Sequence, residues 1–118
     1  MRMVFNVVVR NQDDHTKNIS FLMGEDGAWQ LSPAYDMGYA YNPYGGWTAT
    51  DQMSINGKFD DITRQDLLAF AHQNNIKDAT LIIDEICETA SHWPKIAREC
   101  DVPAEMIDAI MPNMLIRL

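Results

Sequence analysis

Apolar residues in the second half of the chain recur at helical spacing. Between residues 59 and 118 they return every three or four positions, in stretches separated by polar residues or proline. This period predicts amphipathic helices that turn one face toward a core. Thr63 and Asp78 stand where the first two helices should begin, because Thr and Asp favour helix N-caps. Pro94 should break the second helix.

The first 58 residues follow a different pattern. Residues 1–10 are ambiguous, since their valines fit one helix face but also form a β-prone run. Two β-prone stretches, residues 19–23 and 28–31, flank a Gly-Glu-Asp-Gly sequence that predicts a tight hairpin. We expect Phe21 and Trp29 to be packing residues of this hairpin. Residues 38–58 read as a loop whose aromatic side chains either cover the core, which we favour slightly, or serve in recognition of a partner.

Composition limits the classes of protein to consider. A chain of 118 residues with 47% hydrophobic residues predicts one domain with a true core. Its net charge of −8 argues against nonspecific binding to nucleic acid, which needs basic patches. No apolar run approaches the roughly 18 residues of a membrane span. We expect a cytoplasmic protein with Cys87 and Cys100 as reduced, buried thiols.

The most polar stretch of the chain is residues 11–18, Asn-Gln-Asp-Asp-His-Thr-Lys-Asn. It could be a solvated turn, because Asn and Asp favour turns. Its spacing suggests chemistry instead: Asp13 and Asn18 are separated by four residues, and Asp36 follows beyond the predicted hairpin. Kinases use this set in this order, with one Asp at the substrate hydroxyl and an Asn and a second Asp at magnesium.

Residues 13–18, together with Leu-Ser-Pro-Ala-Tyr-Asp at 31–36, resemble the HipA-like toxin kinases, which are bacterial serine/threonine protein kinases with a diverged kinase fold. The resemblance implies an α+β, mostly α fold: the C-terminal lobe of a kinase-like fold, with one small hairpin beside the catalytic loop. It also favours a helix for residues 1–10. Residues 1–118 would form a single domain, with the catalytic loop, hairpin and metal Asp in 1–58 and the helical part in 59–118.

The resemblance further implies roles for individual residues. Asp13 would be the catalytic base, and Asn18 and Asp36 would bind Mg²⁺ and, through it, ATP. His15 would orient the loop or contact the transferred phosphate, and Lys17 would belong to the same catalytic group. The reaction would move the γ-phosphoryl group of ATP to a Ser or Thr of a protein substrate, and an antitoxin partner would repress it.

Kinases carry a Gly-rich loop and an ATP-binding Lys before the catalytic loop, but only ten residues precede Asn11. We therefore expect a C-terminal fragment that is inactive alone, with a chain that carries the missing lobe as a possible partner. Val4, Val7, Val8 and the aromatic residues of 39–47 should then be left uncovered and favour a homodimer.

Two alternatives remain open at this stage. The chain could be a noncatalytic interaction module that keeps the metal loop as a remnant. It could also be a metal-dependent hydrolase built on Asp13, Asp14, His15 and Asp36, although no second His lies near them in the sequence.

Overall fold

Five helices and one hairpin make up the regular structure. The computed structural model describes all residues from 1 to 118. In chain order the elements are α1 (Arg2–Val9), β1 (Phe21–Met23), β2 (Trp29–Leu31), α2 (Arg64–Gln73), α3 (Ala79–Ser91), α4 (Trp93–Glu99) and α5 (Ala104–Ile110). Two short 3₁₀ turns lie at Thr16–Asn18, between α1 and β1, and at Met111–Asn113, after α5. The predicted α+β, mostly helical class with one antiparallel hairpin is confirmed.

Helix α1 lies at the centre of the core and packs against α3. Val8 is fully buried, and Val4 and Val7 are buried beside it. The expectation that these three valines would be uncovered is therefore wrong, because the helices of the second half close over them. The buried core cluster joins both halves of the chain, and consists of Val4, Val7, Val8, Ile55, Ile62, Leu67, Ile83, Ile86 and Cys87.

Helix α2 begins with a complete capping box. The Thr63 side chain accepts a hydrogen bond from the Asp66 backbone N–H, and the Asp66 carboxylate accepts one from the Thr63 backbone N–H. Lys58 Nζ lies 2.8 Å from the same carboxylate, and Asn56 Nδ2 lies 2.9 Å from it. The hydrogen bond from Lys58, followed by those from Thr63 and Asn56, holds the pKa of Asp66 far below its usual range. This network anchors the end of the 38–58 loop to α2.

The remaining helix boundaries follow the prolines and the predicted caps with small departures. Asp78 is the N-cap residue of α3 but adopts a left-handed conformation, and its side chain makes no capping hydrogen bond. Pro94 lies in the first turn of α4, so the predicted break falls at His92. Pro103 precedes α5 as its N-cap residue. No helix of the chain combines the length and the apolar character needed to cross a membrane.

The hairpin projects away from the core. Its register pairs Phe21 with Leu31 and Met23 with Trp29, and all six strand residues are exposed. Since alternate residues of a strand share a face, these four large apolar side chains lie on one side of the ribbon. Phe21 and Trp29 thus pack beside their cross-strand partners on the hairpin, and no other element covers this face.

The loop from 38 to 58 contains no helix or strand of its own, as predicted. Tyr44 and Trp47 are exposed, so the expectation that its aromatic residues cover the core is wrong for these two. Tyr39 and Tyr41 are half-buried and meet edge to face with ring centroids 6.5 Å apart. The Arg10 guanidinium lies over the Tyr41 ring, 4.0 Å from its centroid.

The two cysteines differ in exposure. Cys87 is buried in the core, as expected, and both thiols are free. Cys100 is exposed, so the expectation of burial is wrong for it. Cys100 is the C-cap residue of α4.

Candidate functional site

The predicted catalytic loop begins directly where α1 ends. Arg10 adopts a left-handed conformation with φ of 60°, and its backbone N–H caps the helix through the carbonyl oxygens of Asn6 and Val7. This turn releases the chain from the core helix at a fixed angle. Asn11 and Gln12 are nonetheless buried, which is unusual for amide side chains and requires hydrogen-bond partners.

Asn11 connects the loop to the segment that carries Asp36. Its Nδ2 atom lies 3.1 Å from Asn6 Oδ1 and 3.1 Å from the main-chain oxygen of Asp36. The chain beyond Asp36 then runs beside the loop: Gln12 N donates to Ala40 O at 3.0 Å. Two loops that are far apart in sequence are therefore held side by side.

Asn18 is fastened to Asp13 through the main chain. Its Nδ2 atom donates to the Asp13 carbonyl oxygen at 3.1 Å, across a loop whose end is the 3₁₀ turn Thr16–Asn18. The Asn18 Oδ1 atom accepts no hydrogen bond within the chain. The amide is thus oriented by its nitrogen, and its oxygen is left available for a ligand.

Asp36 adopts a left-handed backbone conformation with φ of 54°. Asp tolerates this region better than most residues because its short polar side chain can interact locally. Its carboxylate accepts no hydrogen bond within the chain, although its main-chain oxygen does. Asn18 and Asp36 line one cavity of about 70 Å³. The structure therefore brings these two predicted metal ligands to a common space.

Of the other predicted site residues, one lies at this cavity and two do not. His15 also lines this cavity, and its Nδ1 atom is buried without a hydrogen-bond partner. Lys17 is exposed and is not among the lining residues. Asp13 does not line the cavity either. Its carboxylate instead accepts a hydrogen bond from Trp47 Nε1 at 3.3 Å.

Two buried carboxyl groups, Asp14 and Asp51, lie next to the loop, and Asp14 also lines the cavity. Asp14 is only 2% exposed and accepts a hydrogen bond from Gln52 N at 3.0 Å. Burial raises the pKa of Asp14 in spite of the hydrogen bonds it receives. Burial, together with the negative charge of Asp14, raises the pKa of Asp51 to about 6. Two carboxyl groups with raised pKa values, Asp14 and Asp51, therefore lie next to the site.

Sequence reasoning missed Trp47, Asp51 and Gln52 as neighbours of the loop. Trp47 contacts a residue 34 positions away, and Gln52 contacts one 38 positions away. No periodicity or local motif marks contacts of this kind. The one available signal was the density of Trp, Tyr and Gly in the predicted loop, which is typical of functional loops.

The residues at the cavity fit a magnesium ion. Mg²⁺ prefers hard oxygen ligands and keeps several waters, so that one or two protein oxygens suffice. The Asn18 Oδ1 atom and the Asp36 carboxylate are such oxygens, and neither is engaged by a protein donor. No group of three or more His, Cys, Asp or Glu side chains is placed to share a metal ion. The candidate ligands here are one amide and one carboxylate, so they do not form such a group.

Comparison with known proteins gives one match. The model of a family described as the HipA-like C-terminal domain matches residues 1–114. No curated protein and no solved structure matches the chain. The matched residues include the loop, the hairpin, Asp36 and all five helices.

Proposed function

Since the chain belongs to the HipA-like C-terminal domain family, we propose that it is the catalytic-loop lobe of a kinase-like fold. HipA proteins are toxin kinases. The proposed reaction transfers the γ-phosphoryl group of ATP to the hydroxyl group of a Ser or Thr in a protein substrate. The proposal extends to a cytoplasmic location and to an antitoxin as a repressing partner.

The hydrogen bond from Asn18 Nδ2 to the Asp13 carbonyl oxygen, at 3.1 Å, carries this proposal. It couples the two ends of the D-x-x-x-x-N motif and leaves the Asn18 amide oxygen available. In a kinase the Asn of this motif binds magnesium while the Asp meets the substrate hydroxyl.

Each residue of the site has a defined task in the proposed reaction. Asn18 and Asp36 would hold Mg²⁺, which when bound neutralises charge on the nucleotide phosphates. Asp13 would accept the proton of the substrate hydroxyl or align that hydroxyl for attack. His15, which has an unpaired Nδ1 atom beside the cavity, would donate a hydrogen bond to a phosphate oxygen. Lys17 would act from the exposed edge of the loop.

The Gly-rich loop and the ATP-binding Lys of a kinase are not among these 118 residues. Positioning of the phosphates accounts for much of phosphoryl-transfer catalysis. The proposed enzyme therefore includes a second segment that supplies these groups, either in the same longer protein or in another chain.

A second candidate function is a noncatalytic interaction module. The exposed hairpin favours it, because Phe21, Met23, Trp29 and Leu31 present one uncovered apolar face. Exposed apolar patches of this kind mark interaction sites more often than chance. The two functions differ in whether the loop and its metal ligands take part in phosphoryl transfer or are kept only as a remnant.

A titration with Mn²⁺, used as a paramagnetic substitute for Mg²⁺, tests the proposed function in the 118-residue chain. We expect selective broadening of the NMR signals of the Asn18 side-chain amide and of the Asp36 backbone amide. Asp36→Asn should remove this broadening, whereas Asp26→Asn, at the exposed hairpin tip, should leave it unchanged. Broadening that is centred on the acidic faces of α3 and α5, and is insensitive to Asp36→Asn, would contradict the kinase proposal.

A further inference from the structure

The indole group of Trp47 provides the only hydrogen bond to the Asp13 carboxylate. Trp47 Nε1 lies 3.3 Å from Asp13 Oδ1 and makes no other hydrogen bond. The Asp13 main chain is fixed independently, since its carbonyl oxygen accepts from Asn18 Nδ2 and from His15 N. Among hydrogen bonds within the chain, the bond from Trp47 is therefore the one that constrains the direction of the carboxylate.

Core packing does not explain the position of Trp47. Its side chain is 73% exposed, so burial of the ring contributes little to holding it over the loop. Hydrogen bonds from nearby residues of the same chain hold its main chain instead. Gln52 Nε2 donates to the Trp47 carbonyl oxygen at 2.7 Å and to the Gln12 carbonyl oxygen at 3.2 Å.

Gln52 also connects Trp47 to the buried residues beneath the loop. Gln52 N donates to the Asp14 carboxylate at 3.0 Å, and Asp14 is buried. The Gln12 side-chain amide is also buried. Its orientation is assigned from its neighbours: with the nitrogen turned toward the loop, it donates to Thr48 O at 3.0 Å and to Ala49 O at 3.1 Å. Residues 47–52 are thus docked along their length on residues 12–14.

We propose that Trp47 is a positioning residue for Asp13, held in place by a clamp of Gln12, Asp14 and Gln52. By occupying Oδ1, the indole N–H fixes the carboxylate in one rotamer and leaves Oδ2 free for the substrate hydroxyl. This inference rests on the proposed function only in giving Asp13 that hydroxyl as its target. It assigns a task to Asp14, to which the motif alone gives none.

The rotamer of Asp13 tests the inference without ATP or metal. Couplings between the α and β protons of Asp13 report whether its side chain occupies one staggered state or several. In the unmodified chain we expect one state. Trp47→Phe keeps an aromatic ring but removes the N–H donor, so the couplings should fall to averaged values. Trp29→Phe, on the exposed hairpin, is the matched control and should change nothing.

A reciprocal measurement follows the indole N–H signal of Trp47. Asp13→Ala and Gln52→Ala should each shift this signal, while the signals of Trp29 and Trp93 stay in place. Gln30→Ala, at an exposed hairpin position, is the control for the Gln52 variant. Unchanged Asp13 couplings in Trp47→Phe, or an unmoved Trp47 signal in Asp13→Ala, would overturn the inference. Because no metal is present, either result is independent of the Mn²⁺ test of the proposed function.

Discussion

The hydroxyl group of Tyr35 donates a hydrogen bond to the main-chain carbonyl oxygen of Lys17 at 2.8 Å. Each of these residues directly precedes a candidate metal ligand, Asp36 and Asn18 respectively. The bond therefore ties together the two sides of the cavity at the base of the hairpin. It gives Tyr35 a positioning role that does not depend on contact with a ligand.

Removing this hydroxyl should weaken binding of a divalent cation. A neutral hydrogen bond contributes about 0.5–1.5 kcal/mol, so Tyr35→Phe should lower the affinity for Mn²⁺ roughly two- to tenfold. The affinity is measured by the same NMR titration. Tyr44→Phe is a suitable control, because Tyr44 is 96% exposed and its hydroxyl makes no hydrogen bond. Equal affinities in the two variants would show that the Tyr35 bond does not organise the site.

The 118-residue polypeptide alone should show negligible kinase activity. The groups that clamp the nucleotide phosphates are not encoded in it, and positioning supplies much of the rate enhancement in phosphoryl transfer. Incubation with radiolabelled ATP, Mg²⁺ and a generic Ser/Thr protein substrate should transfer no more label than the Asp13→Ala chain does. Transfer by the unmodified chain that is lost in Asp13→Ala would contradict this expectation.

Loss of the α2 cap should lower the stability of the whole domain. Thr63→Ala removes the side-chain acceptor for Asp66 N and the hydroxyl that lies 2.6 Å from the Asp66 carboxylate. We expect the free energy of unfolding to fall by about 1 kcal/mol, the usual effect of losing an N-cap side chain. Urea denaturation at neutral pH measures it. Thr50→Ala, at an exposed loop position, should change stability much less.

Asp51 should make the protein less stable as pH rises. Burial and the charge of Asp14 raise its pKa in the folded chain to about 6, above the ordinary value of 3.8. The folded state thus favours the protonated form, and this contribution, complete below about pH 4, is lost as pH rises through 6. Asp51→Asn should therefore stabilise the protein at about pH 7.5, by up to about 3 kcal/mol, and have little effect near pH 4.

Urea denaturation at the two pH values provides the comparison for Asp51→Asn. Asp108→Asn, at an exposed position of α5, is the matched control and should show no such pH dependence. Equal effects of Asp51→Asn at both pH values would mean that folding does not raise the pKa of Asp51, and greater destabilisation at pH 7.5 would mean that the surroundings stabilise its ionised form.

We still propose that the chain self-associates, but through the hairpin and not through the N-terminal valines. Because Val4, Val7 and Val8 are buried in their own chain, the uncovered face of the hairpin is the better candidate contact. Repulsion from the net charge of −8 is screened within roughly 8 Å at physiological salt. We expect light scattering to show a mass above that of the monomer at micromolar concentration. Joint substitution Phe21→Ser and Trp29→Ser should reduce the mass to the monomer value, whereas Tyr44→Ser should not.

Local patterns predicted most of the secondary structure. The Thr63 cap, the break near Pro94 and the Gly-Glu-Asp-Gly turn depend on neighbouring residues, so the sequence displays them directly. The helical period of α1 was masked by its β-prone valines, and the family resemblance was needed to choose between the two structures. Tertiary packing against α3 is what favours the helix in the folded protein.

The site was predicted in part. The order of Asp13, Asn18 and Asp36 along the chain indicated a shared site, and the structure places Asn18 and Asp36 on one cavity. The contact of Trp47 with Asp13 could not be predicted, because it depends on the path of a loop with no periodicity. Exposure of the hairpin was equally hidden, since alternation predicts which side chains share a face but not whether another element covers that face.

The base of the hairpin is closed by Ser20 and Ser32, whose main-chain atoms pair at 2.9 Å and whose hydroxyl groups pair at 3.0 Å. Beyond this pair the ribbon contributes nothing to the buried core. The number of residues between Asn18 and Asp36 is therefore free to change without altering their distance in space. The hairpin can therefore be lengthened by evolution or by an experimenter. An epitope or fluorophore inserted at its Gly24–Gly27 tip should leave the distance between Asn18 Oδ1 and the Asp36 carboxylate unchanged.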